Sequence, residues 1–329
     1  MNREKIQISK GINIIDLTDK KFKTMKISVN FIMPLKQETS SAFSLIVGLL
    51  TQSTKEYPSI TALSKRLSEL YGADLTASAT RYGDCQMLNI SSSGIADRFA
   101  LDNENLTEIF AKLITKALFE PCQDELGFFQ EENFEQERRQ ILEAIESEFN
   151  DKRTYAINKC RSQMFKGEPA EINRYGSEED VKNLDRLEMN KHIKSLLDTA
   201  IIEILVLGDC NFDTVVKTFK KAFDFERKIE ELSTAPTKIT RDLVVIEEEQ
   251  KLSQSKLVLG FKFDCEDIDQ NVLKLLSMVL GGSPSSKFFL NVREKLSLCY
   301  YCAAGPDTQK NAFFVDSGVE TVNIEKAKE

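Results

Sequence analysis

The fold is decided by residues 280–300, LGGSPSSKFFLNVREKLSLCY. A glycine pair followed by Ser-Pro is typical of a boundary where one helix ends and another begins. We expect helices over 267–280 and 285–296, and a strand that begins near Tyr300. Ahead of the first helix, apolar side chains alternate with the period of a half-buried strand, at Leu257, Leu259, Phe261 and Phe263. The local order is therefore strand, helix, helix, strand.

The same order of elements occurs about 230 residues earlier, which indicates a tandem duplication. In the first strand of this copy, apolar residues alternate with polar ones, at Met25, Ile27, Val29, Phe31 and Met33. Helical spacing of apolar residues follows over 43–50 and 60–71, and two strands then flank Gly83.

The region between the two copies is predicted to be mainly helical. We expect helix throughout 103–165, where the carboxylates of 124–151 lie opposite an apolar side made by Phe134, Ile141, Ile145 and Phe149. A solvated helix face explains these carboxylates better than an acid/base cluster. The nearly continuous apolar run 201–207 predicts a buried central strand.

The repeat also predicts the domain organisation. We expect a first half-domain over 1–230, a linker over 231–240 and an incomplete second half-domain over 241–329. By the period of the repeat, roughly a hundred residues of the second copy are missing. An exposed, incomplete sheet and poor stability in isolation are expected from this.

Composition and charge argue against several classes of function. The chain carries 44 Lys and Arg against 52 Asp and Glu, a net charge of −8, so nucleic-acid binding is not expected. The longest apolar run, 42–50, is far shorter than the roughly 20 residues of a membrane span. No signal peptide is visible, and seven scattered cysteines favour a reducing compartment. We therefore expect a cytoplasmic protein.

Three local motifs give weak chemical signals. The lone His192 excludes a two-histidine zinc site and is predicted to be a partly exposed helix residue. Residues 281–287 lack the spacing of a P-loop and follow a helix, so we expect a helix boundary there. Cys299 and Cys302 are expected on opposite faces of a strand, where they could not bind a metal together.

Residues 280–300 resemble the second half-domain of the insulinase/pitrilysin zinc-peptidase family, where the pattern is approximately L-G-G-G-x-S-S-R-L-F-x-x-[VL]-R-E-K-x-G-L-A-Y. Residues 137–143, ERRQILE, are similar to its E-R-E-V-V-L-E-E helix, and 201–209 to its V-L-A-V-V-G-D strand. The resemblance covers the whole chain. It implies an α+β, processing-peptidase-like metallohydrolase fold of tandem half-domains, each a mostly antiparallel sheet flanked by helices, with the second half-domain truncated.

The resemblance fails at the zinc site. Active family members carry H-x-x-E-H on the first helix, with two histidine ligands and a glutamate base. The positions that correspond are Ser44, Val47 and Gly48, and the third zinc ligand corresponds to Ala144. None of these side chains replaces the family's residue. The comparison therefore implies no metal or cofactor in this chain and no peptidase activity by the chain alone.

A second set of family residues is retained. In two-subunit members, one chain supplies zinc and base while its homologue supplies a glycine-rich loop or an Arg/Tyr pair. Arg293 and Tyr300 correspond to that pair, and Gly281 and Gly282 to the loop. By resemblance to bacterial non-peptidase members, we expect a subunit that pairs with an HxxEH-bearing homologue, binds a peptide substrate and stabilises its oxyanion. Zinc is then expected only in the partner.

Two alternatives remain open at this stage. The chain could be a purely structural or peptide-binding homologue with no role in proteolysis, in which case Arg293 would only pack or pair locally. It could also be an active enzyme with a relocated site, which the sequence favours least.

Overall fold

The computed structural model describes residues 4–101, 103–232, 239, 242–263 and 269–329. The chain divides into two compact units, Met1–Glu143 with Asn173–Ser233, and Ala144–Ile172 with Thr234–Glu329. Most of the predicted linker 231–240 lies outside the described residues. Among the residues that are described, every helix is too short or too polar to cross a membrane.

The strands and helices alternate along the chain. The strands are β1 (Lys5–Ser9), β2 (Ile12–Thr18), β3 (Thr24–Pro34), β4 (Asp74–Tyr82), β5 (Cys85–Ile95), β6 (Ile201–Gly208), β7 (Ser255–Lys262), β8 (Cys299–Asp307) and β9 (Ala312–Val319). The helices are α1 (Gln37–Gln52), α2 (Ile60–Glu69), α3 (Leu106–Phe119), α4 (Glu131–Asn150), α5 (Lys152–Met164), α6 (Glu178–Lys182), α7 (Met189–Thr199), α8 (Phe212–Ala222), α9 (Gln270–Leu280) and α10 (Ile324–Lys328). A π-helical segment, Phe289–Lys295, precedes β8.

The first unit is built on a six-stranded sheet in the order β1-β2-β6-β3-β5-β4. Only β2 and β6 are parallel neighbours, so the sheet is mostly antiparallel, as predicted. The alternating apolar side chains of β3 are at most 3% exposed, which confirms the predicted strand. Strand β6 is central, but it buries one face only, since Leu207 is 39% exposed.

Helices α1 and α3 cover the same face of this sheet. A Cβ added at Gly94 on β5 would lie 2.6 Å from Cζ of Phe110 on α3, so the missing side chain permits close packing. From α1, Ser44 reaches Gln86 on the same face of β5. Residues eight apart on a strand share a face, and this face is therefore the core side.

The second unit contains a three-stranded antiparallel sheet in the order β7-β9-β8. This order repeats that of β3-β5-β4, and α9 follows β7 as α1 follows β3. The central strand β9 is buried along its whole length. The structure thus has the predicted α+β architecture of tandem half-domains.

Helix α5 lies earlier in the sequence yet packs in the second unit. Its Arg153 donates to the Asp316 carboxylate at 2.5 Å through Nε and 3.2 Å through Nη2, and Arg161 pairs with Asp307. Phe165, which follows the helix, is fully buried against Phe314. Apolar packing and ion pairs together hold this segment to the sheet.

A buried ionic cluster lies beside Phe165. Glu168 pairs with Lys262 at 3.1 Å and with Lys310 at 2.9 Å, and the side chains of Glu168 and Lys310 are 3% and 2% exposed. Both ammonium groups also lie over the Phe165 ring. Burial alone would raise the pKa of Glu168, but the hydrogen bonds from the two lysines outweigh it and lower that pKa.

Three sequence predictions are corrected here. Strands β1 and β2 were not expected. The predicted helix 103–165 is broken over 120–130, because the Asp124 carboxylate accepts the backbone N–H groups of Leu126 and Phe128 in a turn. The helix predicted over 285–296 contains the π-helical segment Phe289–Lys295.

The outer side of α9 is apolar and exposed. Leu275 and Met278 are 64% and 53% exposed, and Val272 is 57% exposed. In the first unit the corresponding helix α1 is buried on nearly all sides. Among the described residues, β7 forms strand pairs with β9 only.

Candidate functional site

The positions that correspond to the family's zinc site begin on α1. Ser44 and Val47 are buried, at 5% and 2% exposure. The Ser44 hydroxyl donates to the Arg174 carbonyl at 2.6 Å, and the Gln86 amide nitrogen lies 3.0 Å from the Ser44 oxygen. The same nitrogen is 2.9 Å from the Ser40 and Arg174 carbonyls. Neutral hydrogen bonds therefore occupy the polar atoms at this position.

Gly48 lies against a carboxylate from α4. A Cβ at position 48 would be 1.9 Å from Oε1 of Glu137, so the glutamate occupies the space that any side chain here would need. The Gln52 amide donates to Oε2 of Glu137 at 2.6 Å. Burial raises the pKa of Glu137, and the hydrogen bond from Gln52 only partly opposes that shift. A side chain at position 48 would require the Glu137 carboxylate to move.

Ala144, the position of the third ligand, lies two helical turns beyond Glu137 on α4. Its methyl group cannot bind a metal, and the neighbouring Glu143 is exposed. Across the described ranges, no group of three His, Cys, Asp or Glu residues is arranged to hold a metal ion. The residues present do not fit the zinc that the family fold implies.

Arg293 and Tyr300 lie in the second unit. Arg293 is on the π-helical segment, with its guanidinium 4.6 Å from the centre of the Phe289 ring and its side chain 42% exposed. The carboxylate of the adjacent Glu294 lies 3.8 Å from Nε of Arg293. Tyr300 is 56% exposed, at the start of β8. Both side chains are therefore open to solvent.

The glycine pair ends α9 next to β8. A Cβ at Gly281 would lie 2.6 Å from the backbone nitrogen of Ala304, which no larger residue tolerates. Ser277 strengthens this contact by donating to the Ala304 carbonyl at 2.8 Å. Gly282 is exposed just beyond the helix. Close packing of α9 on β8 therefore explains Gly281 without a ligand.

The prediction for the two cysteines of β8 is wrong. A β-bulge between Cys299 and Tyr301 adds one residue, so that Cys299 pairs with Val319 and Cys302 with Ser317. Residues two apart on β9 point to the same face, and their partners do too. His192, by contrast, is a partly buried helix residue whose ring contacts Phe43 edge-on at 6.1 Å, and burial lowers its pKa.

The face of the first sheet opposite α1 carries a polar ladder that the sequence prediction missed. The Asn89 amide donates to the Ser28 hydroxyl at 2.6 Å and to the Asn30 side-chain oxygen at 2.8 Å. Asn30 donates to the Glu203 carbonyl at 3.1 Å. We define the polar ladder as Ser28, Asn30 and Asn89. Alternation of these residues with apolar ones in β3 and β5 is the signal that could have located them.

Comparison with known proteins agrees with this geometry. The family model described as the peptidase M16 inactive domain matches residues 183–329. The "Probable inactive metalloprotease YmfF" of Bacillus subtilis is 28% identical over 322 residues, which are 96% of this chain and 75% of that relative. The family match and this relative both support a resemblance to inactive insulinase-family proteins. The name of that relative describes a non-catalytic protein, and Ser44, Val47, Gly48 and Ala144 of this chain lack the family's metal ligands and base.

Solved structures share the fold. A conserved protein from Enterococcus faecalis has a TM-score of 0.89 and 28% identity, over 100% of this chain and 78% of that one. A peptidase M16 inactive domain from Pseudomonas fluorescens has a TM-score of 0.76 at 16% identity, over 100% of this chain and 77% of that one.

A further relative is similar in sequence. An "Uncharacterized zinc protease" of Rickettsia bellii is 26% identical over 198 residues, which are 59% of this chain and 46% of that relative.

Proposed function

We propose that this chain is a cytoplasmic, non-catalytic subunit that pairs with an HxxEH-bearing homologue and completes the peptide site of a heteromeric zinc peptidase. One observation carries the proposal. The zinc-ligand positions Ser44, Gly48 and Ala144 lack the family's ligand side chains, whereas Arg293 and Tyr300 are retained and exposed. Zinc and the general base would belong to the partner alone.

Arg293 and Tyr300 would act on the peptide carbonyl. A guanidinium stacked on an aromatic ring, as Arg293 is on Phe289, still presents N–H donors at its edge. A tyrosine hydroxyl supplies one further donor. Two donors aimed at a carbonyl oxygen stabilise the negative charge that develops on it during hydrolysis. Of the glycine pair, Gly282 is exposed and would allow a peptide backbone to approach nearby, whereas Gly281 packs against β8.

The test uses the full chain co-purified with its HxxEH-bearing homologue, with cleavage of a fluorogenic peptide as the readout. We expect Arg293→Ala and Tyr300→Phe each to lower kcat/KM by about 10²–10³, the cost of removing one oxyanion donor. Lys295→Ala, an exposed charge change on the same helical segment, is the matched control. Unchanged cleavage by both variants in an intact complex would contradict the proposed role.

The polar ladder favours a second candidate, peptide binding without proteolysis. Amide side chains such as Asn30 and Asn89 can exchange their hydrogen bonds with a peptide backbone. This role predicts that the chain alone binds a labelled peptide, that Asn89→Ala weakens the binding, and that Arg293→Ala does not. Peptide binding that requires the homologue would instead support the first function.

A further inference from the structure

The bulge at the start of β8 gives Cys299 and Cys302 an unusual relation. In a regular strand, residues three apart point to opposite faces. Here the register passes from Cys299 opposite Val319 to Tyr301 opposite Gly318, so Tyr300 is skipped. The extra residue turns a C-x-x-C sequence into the equivalent of two residues on one face of the sheet.

The separation of the two cysteines follows from their partners. Val319 and Ser317 are two residues apart on β9, a distance of about 6.8 Å at 3.4 Å per residue in an antiparallel sheet. The cysteines directly opposite them are separated by about the same distance, which is the upper limit of the roughly 4.4–6.8 Å between Cα atoms that disulfides span. The two thiols are close enough to interact, because the Cys299 thiol, after burial, is the largest influence that raises the pKa of Cys302.

The surroundings favour a dithiol over a metal site. Cys299 is 8% exposed and Cys302 is partly buried, so both thiols are mostly protected from solvent but remain partly accessible. Within the part of the chain that the structure describes, no third His, Cys, Asp or Glu completes a metal-binding group with them. A structural zinc site requires four ligands, and two thiols do not supply them.

We propose that Cys299 and Cys302 are a redox-active pair that forms an intramolecular disulfide with glutathione disulfide as the oxidant. The Cys302 thiolate, the more accessible of the two, attacks one sulfur of glutathione disulfide and expels a glutathione thiolate. The Cys299 thiolate then attacks the Cys302 sulfur and expels the second glutathione thiolate. The two protons lost by the cysteines leave with the two reduced glutathione molecules. The bond closes a ring that contains Tyr300 and Tyr301.

The reaction is expected to be slow at neutral pH and faster in alkaline buffer. Burial and the neighbouring Cys299 thiol raise the pKa of Cys302 to about 11, and the thiolate is the reacting species. The inference does not depend on the proposed peptidase partnership, because it concerns bond formation in this chain alone.

Peptide mapping tests the proposal on the full chain. Trypsin releases both cysteines in one peptide, 296–310, which contains no other cysteine. After treatment with glutathione disulfide and alkylation of free thiols, we expect this peptide to be unalkylated and lighter by two hydrogen atoms. Dithiothreitol should restore two alkylation sites. A peptide that carries two alkyl groups, or only glutathione adducts, would overturn the proposal.

A positional variant separates the folded geometry from mere proximity in sequence. Ala303 pairs with Asp316 and therefore points to the other face of the sheet from Cys302. The double variant Cys302→Ala/Ala303→Cys keeps the thiol count, and its disulfide should form at least about tenfold more slowly because the geometry is lost. Equal rates in this variant and the parent, with unchanged circular dichroism, would refute a role for the bulge.

Discussion

The contact between Gly48 and Glu137 predicts that Gly48→Ala destabilises the chain when Glu137 is present and stabilises it when Glu137 is absent. In Gly48→Ala, the new methyl group would lie 1.9 Å from the Glu137 carboxylate, which must move and lose its 2.6 Å hydrogen bond from Gln52. Losing a hydrogen bond to a charged group costs about 1.5–3 kcal/mol. Alanine in place of glycine inside a helix stabilises the folded chain by about 0.8–1.0 kcal/mol. The expected net loss of stability is therefore about 0.5–2 kcal/mol.

Removing the carboxylate should reverse this effect. In a Glu137→Ala background nothing opposes the methyl group, so Gly48→Ala should stabilise the chain by about 0.8–1.0 kcal/mol. Urea unfolding followed by circular dichroism measures both steps of this double-mutant cycle. Glu135→Ala, which removes a more exposed carboxylate from the same helix, is the control background, where Gly48→Ala should remain destabilising.

The sign of the effect decides the interpretation. If Gly48→Ala destabilises the chain equally with and without Glu137, the carboxylate does not occupy the space above position 48.

Two further predictions concern stability. Glu168→Gln removes the carboxylate that pairs with both Lys262 and Lys310 and should cost about 3–5 kcal/mol at neutral pH. The pKa of Glu168 in the folded chain is lowered below 4.5, so its ionised carboxylate stabilises the fold above that pH. This stabilisation is lost as the pH falls through the folded pKa, and the cost of Glu168→Gln should therefore be smaller in acid. A cost that does not depend on pH would contradict the ionic cluster. Gly208→Ala should cost more than about 3 kcal/mol in thermal unfolding, since φ is +92° and a Cβ would lie 2.2 Å from the Thr24 carbonyl. Gly72→Ala, with φ +71° and open space, is the control; equal costs would refute the steric argument.

Much of the fold was predictable because periodic patterns are local. The alternation of Val29 and Phe31 predicts β3, and the repeat predicts that β7-β9-β8 copies β3-β5-β4. Strands β1 and β2 were also accessible, since Ile6 and Ile14 lie on either side of a Lys-Gly turn with Gly11 at φ +71°. The pairing of β2 with β6, far away in sequence, is what no local pattern specifies.

The site was less predictable because its contacts join distant segments. Glu137 is one of many carboxylates on α4, and the sequence does not distinguish it from the exposed ones until α1 is packed against it. The faces of Cys299 and Cys302 depend on the bulge, which is a property of the pairing between two strands. Family resemblance located Ser44 and Gly48, but not the neighbours that fill their surroundings.

The placement of α5 in the second unit has a consequence for synthesis on the ribosome. Phe165 is made about 150 residues before its core partner Phe314, and at about 5–20 residues per second the interval lasts roughly 7–30 s. A strongly apolar helix would be exposed to aggregation during this time. Helix α5 instead carries four cationic side chains, Lys152, Arg153, Lys159 and Arg161. Its charge keeps the nascent segment hydrated, and two of those charges, on Arg153 and Arg161, later pair with Asp316 and Asp307.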